Sequence, residues 1–134
     1  MNTHVDFKIA ELLKDKGWNI NTYSNCWVKT LDGKIIHNKD RENIQEHDRC
    51  EQYLMQPTIS EVVMWLSEQH IDLCHIVNYE NGIRKYRMGI IYIKDNKIES
   101  VFIRPENNRI NFVEFNSITE AYTAAIEYCL TKLL

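Results

Sequence analysis

Two polar doublets, Asn81-Gly82 and Asp95-Asn96, constrain this chain more than any other feature of it. Each interrupts a stretch rich in β-branched and aromatic residues. Asn-Gly between such stretches is a strong short-range signal for a type I′ hairpin, because both central residues of that turn need positive φ. LCHIVNY and RKYRMGIIYI are therefore expected to pair antiparallel around it. Asp95-Asn96 turns the chain again into IESVFIR, and Pro105 to Asn108 make a third turn into RINFVEF. The pattern predicts a four-stranded antiparallel meander.

Turn position then fixes register, and register fixes which side chains share a face. Pairing outward from Asn81-Gly82 sets Leu73, His75, Val77 and Tyr79 opposite Ile90, Met88, Tyr86 and Arg84. The next hairpin adds Val101 and Ile103, and this side is the expected core. Ile76, Ile91, Ile93, Ile98 and Phe102 fall on the other side. Either an N-terminal element covers that side, giving three layers, or it stays open for a partner or a second copy.

Helices flank the meander. PTISEVVMWLSEQH has Thr58 and Glu61 at capping-box spacing, with Pro57 just outside. Ile59, Val62, Val63, Leu66 and His70 share one side of it, Trp65 lies at the flank, and Met64 points outward. SITEAYTAAIEYCLTKLL repeats the box with Ser117 and Glu120 and carries a stripe of Ile118, Tyr122, Ala125, Cys129 and Leu133. Near the start, Thr3 and Asp6 read as a cap before the stripe Val5, Ile9, Leu12 and Leu13, and Gly17 sits where a left-handed C′ residue belongs, so that Trp18 folds back. NCWVKT and KIIHN flank Leu31-Asp32-Gly33 as a second hairpin. Residues 39–55 are dense in charge and fit either a solvated helix or a loop.

Composition excludes some functions. A formal net charge of -3 argues against wholesale nucleic-acid or membrane binding and leaves room for a local basic patch. No apolar run approaches the roughly 20 residues that span a bilayer. MNTHVDFKIAELL lacks a basic segment followed by a continuous apolar one, so no signal peptide is expected and the cytoplasm is the expected compartment. Cys26, Cys50, Cys74 and Cys129 form no CxxC and are expected as free thiols.

Chemistry-bearing motifs are scarce. His47 with Cys50, and His70 with Cys74 and His75, have loose metal-ligand spacing, but zinc sites use tighter pairs and nothing joins these two groups, so no metal or cofactor is expected. There is no G-x-S-x-G, Walker loop, HExxH or GxGxxG, and no catalytic residue is assigned. The most specific cluster is basic: Arg84, Lys85 and Arg87, with Arg104 and Arg109 flanking the third turn. The Asp95-Asn96 register sets Arg87 opposite Arg104 and Lys85 opposite Glu106. Like charges facing across strands repel, and an anion or a phosphate backbone would offset that. The competing reading is a solvated face neutralised by Glu80, Glu99 and Glu106.

ELLKDKGW, PTISEVVMWLSEQHIDL and SITEAYTAAIEYCLTKLL together resemble a family of small uncharacterised proteins of Bacteroides-type gut bacteria, their prophages and other mobile elements. The resemblance implies a genomic setting and assigns no functional residue. The expectation is one α+β domain over residues 1–134: helices on a four-stranded antiparallel meander, with an N-terminal helix and β-hairpin. Its expected function is that of an accessory protein acting through protein contacts, on the outer sheet face with Met64 at the rim. Nucleic-acid or anion binding through the basic cluster is the alternative, and a small enzyme the third.

Overall fold

A computed structural model describes residues 3–18, 26–30, 35–38, 50–55, 57–104 and 114–134, giving backbone alone for the strands between 26 and 55. The fold is α+β. The chain divides into two compact units, residues 2–58 and 59–134.

In the first unit, helix α1 (Phe7–Asp15) starts one turn later than Thr3 would place it. Asp6 is the N-cap, its carboxylate accepting from the Ile9 amide at 2.9 Å. A charged acceptor serves the exposed amides and the positive helix end better than a threonine hydroxyl. Val5, Ile9, Ala10 and Leu13 are buried. The helix ends in a complete Schellman motif: Trp18 N–H donates to Leu13 O at 3.0 Å and Gly17 N–H to Lys14 O at 3.2 Å. Gly17 takes φ +88, and Trp18 is buried as expected.

Strands β1 (Cys26–Thr30) and β2 (Ile35–Asn38) form the expected hairpin, with Val28 opposite Ile36; its Leu31-Asp32-Gly33 turn lies outside the described residues. Residues 50–55, expected as part of a solvated helix or a loop, are strand β3 (Cys50–Met55), paired antiparallel with β1 in the order β2-β1-β3. This pairing joins Trp27 to Leu54 across the sequence, a non-local gain that local charge and weak periodicity do not report. Helix α1 packs on β3.

The second unit carries the larger sheet. Strands β4 (Ile71–Glu80) and β5 (Ile83–Lys94) pair in the expected register, Leu73 to Ile90, His75 to Met88, Val77 to Tyr86 and Tyr79 to Arg84. Asn81 and Gly82 have φ +52 and +78, as a type I′ turn requires. Asp95 and Asn96, at +52 and +62, make the second turn in the same way. Strand β6 (Lys97–Ile103) then sets Ile90 opposite Val101 and Met88 opposite Ile103. The fourth strand, β7 (Glu114–Phe115), lies on β5 and takes the edge that β6 vacates after Ile103.

Helices α2 (Ile59–Glu68) and α3 (Ile118–Tyr128) pack on this sheet and on each other. Ser117 caps α3, its hydroxyl accepting from the Glu120 amide at 3.1 Å. Ile59, Val62 and Leu66 of α2, Ile71, Met88, Ile90 and Ile103 of the sheet, Ala121, Ala125 and Ile126 of α3, and Cys129 just after it are all buried. The C-terminus widens into a π-helical turn, Cys129–Leu133, closed by Leu134 N–H on Cys129 O at 3.0 Å. Leu130, one turn after Ile126, is buried there, and Leu133 is half-buried.

The two sheet faces therefore differ in what they give to folding. Ile90→Ala removes a fully buried side chain and should cost about 2–5 kcal/mol in urea unfolding. Ile98→Ala, at a site 78% exposed, should change stability by less than about 0.5 kcal/mol.

Candidate functional site

Alternation along β4, β5 and β6 assembles an apolar field on the side of the sheet away from α2 and α3. Ile76, Ile91, Ile93, Ile98 and Phe102 are all exposed, as is Ile83 near the hairpin end. In successive cross-strand rows the face reads Ile76–Arg87–Glu114, Cys74–Gly89–Phe102, Asp72–Ile91–Ser100 and Ile93–Ile98. Gly89 occupies the one row where a side chain would not fit freely. A Cβ there would lie 3.2 Å from Cys74 Sγ and 3.7 Å from the Phe102 ring, which leans over the glycine. An aromatic lying across a cross-strand glycine shields backbone that the missing side chain leaves bare.

Met64 is outward as expected, but it stands on α2, whose buried residues Ile59, Val62 and Leu66 turn toward the sheet. It belongs to the helix layer and not to the rim of the sheet face.

The basic cluster comes apart. The expected Arg87–Arg104 opposition does not form, because β6 stops at Ile103 and β7 brings Glu114 opposite Arg87 instead. Arg87 Nη2 lies 3.2 Å from Glu114 Oε1, and Asn78 donates to the same oxygen at 3.1 Å. Lys85 donates to Asn116. Arg84, on the opposite face by strand alternation, sits with its guanidinium 5.3 Å from the Tyr86 ring centroid, a cation–π contact. Arg104 lines an open depression of about 220 Å³ between the end of β6 and α3, with Glu127, Tyr128 and Thr131 across from it. Arg109, like Glu106, lies outside the described residues. The repulsion that called for an anion is met inside the sheet by a carboxylate.

A pairing that sequence reasoning missed links the sheet to α3. His75 Nδ1 and Tyr122 Oη are 2.7 Å apart, and the imidazole packs edge-on to the rings of Tyr122 and Tyr86. Burial, with Cys74 nearby, raises the Tyr122 pKa and keeps its hydroxyl protonated. The register put His75 beside Tyr86, but nothing in the sequence says which turn of α3 docks over β4.

The thiols differ sharply. Cys74 is exposed on the outer face and donates to Gly89 O at 3.6 Å, while Cys129, at the start of the π-helical turn, is fully buried. Among the described residues no group of three or more His, Cys, Asp or Glu side chains is placed to hold a metal ion, and no helix is long and apolar enough to cross a membrane. No protein family, curated protein or solved structure matches the chain.

Burial pushes the Cys129 thiol up to about 12 from an ordinary value of 9.0. The folded state holds that proton more tightly than the unfolded chain. Its contribution is complete below about pH 9 and is lost as the pH rises toward about 12. Urea unfolding at stepped pH should show the wild type losing stability over this window more steeply than Cys129→Ala. For Arg87 and Glu114, a double-mutant cycle to alanine should give a coupling of about 0.2–1 kcal/mol that shrinks as salt is added.

Proposed function

We propose that this chain is a non-enzymatic accessory protein that works through protein contacts, and that the outer face of its C-terminal sheet makes them. The observation that carries this reading is the exposure of Ile76, Ile91, Ile93, Ile98 and Phe102 on one face, around a glycine covered by Phe102. Contiguous apolar area on a sheet face marks an interaction site far more often than scattered single residues do. The sequence offers no catalytic motif to compete with it. The resemblance of ELLKDKGW and the two later helices to small proteins of Bacteroides-type bacteria and their mobile elements suggests the setting: a phage or mobile element, in the cytoplasm.

Nucleic-acid binding is the weaker reading, since Lys85 and Arg87 already have partners and Arg84 faces the other way. A tagged pull-down from host-type lysate, washed at low and then high salt, separates the two. A protein, untagged copies of this chain co-expressed in the lysate included, held through the high-salt wash by the wild type and lost from Ile98→Lys is the expected result. Equal retention by both forms would remove the outer face from the reading. Nucleic acid that elutes as salt rises, and is lost in an Arg84→Glu/Arg87→Glu variant, would replace protein contact with phosphate binding.

A further inference from the structure

We infer that the partner covering the outer sheet face is a second copy of this chain, in an inference that rests on the protein-contact reading above. A two-fold interface uses one patch twice, so the patch must complement itself. The rows on this face meet that condition about Ile91. Two residues to one side lies Gly89, without a side chain, with Phe102 leaning across it. Two residues to the other side stand Ile93 and Ile98, 55% and 78% exposed, beside 55% for Phe102.

A two-fold axis crossing the strands at Ile91, midway between facing sheets, exchanges these rows. It sets Ile93 of each copy over Gly89 of the other, and Ile98 against the ring of Phe102. Aligned sheets pack about 10 Å apart at roughly 30°, which this arrangement accommodates. Among the described residues, Asp72 is the one charge in the rows beside the axis. Its carboxylate accepts from Ser67 of α2 at 2.7 Å, which draws it round the sheet edge toward the helix layer.

The area is of the right size. The five apolar side chains expose 43–78% of their surfaces, on the order of 500 Å² of apolar area. A standard interface buries about 800 Å² per partner, and homodimer interfaces are roughly 65% apolar. One copy of this face supplies that apolar share, with Arg87 and Glu114 at its polar border.

The test uses the full chain. Sedimentation velocity should show mass rising from 16.0 kDa toward twice that with concentration. Ile98→Lys, with an unchanged circular dichroism spectrum, should weaken association about ten-fold or more. The register is tested by thiols introduced one at a time into a Cys26→Ser/Cys50→Ser/Cys74→Ser chain, which keeps only the fully buried Cys129. Ile91→Cys should be joined to its copy by a short bismaleimide. Ile83→Cys, on the same face, should not, because the two copies of residue 83 would lie roughly 50 Å apart.

A chain that stays monomeric at high concentration, with the thiol at position 91 freely labelled by a maleimide, overturns the second copy and leaves an open face for another protein. A monomer whose thiol at position 91 resists labelling overturns both, since the chain then covers its own face. Cross-linking as ready at position 83 as at 91 overturns the Ile91 axis, and the self-complementarity argument with it.

Discussion

Two crossings into positive φ, at Asn81-Gly82 and Asp95-Asn96, hold the C-terminal sheet in one register. A slip of one residue at either turn would carry every side chain of the following strand through the sheet. Met88 and Ile90 would leave the α3 contact, and Ile91 and Ile93 would meet it instead. The two sets are nearly equal in hydrophobicity, so burial alone separates the registers weakly. Turn geometry decides between them, helped by rows that fit only one way: Gly89 where Cys74 and Phe102 close in, and Ala121 and Ala125 where α3 meets the core.

What could be read beforehand follows the same division between local and non-local causes. The turns, the registers of β4, β5 and β6, and the Gly17 and Ser117 caps all arise within a few residues of chain, and composition reports them directly. Strand β3 does not. Its pairing with β1 joins residues twenty or more positions apart, and nothing in a charged, weakly periodic segment announces a distant edge. The Asp6 cap shows a smaller failure, where two acceptors three residues apart both suit a helix start and side-chain strength chooses between them.

The basic cluster is the instructive failure. Its like-charge pair followed from extending β6 past Ile103, a continuation the hairpin permits but the chain does not make. Once β7 occupies that part of the β5 edge, Glu114 sits between Arg87 and Asn78 and satisfies both. A repulsion inferred from register becomes an attraction through the arrival of one strand two residues long. The local charge signal was sound, but its partner came from outside the hairpin.

The outer face stands apart from all of this because its apolar side chains, Ile76, Ile91, Ile93, Ile98 and Phe102, are exposed. Exposed isoleucines add little to the stability of the chain that carries them, and a broad apolar sheet face invites unwanted association. Polar substitution at Ile98 would leave Met88, Ile90 and the α3 contact as they are. The β-branched residues there favour strand conformation, but threonine would supply that preference without the liability. Strand propensity therefore accounts for the β-branching and not for the hydrophobicity. The proposed complex would account for both by removing these side chains from water.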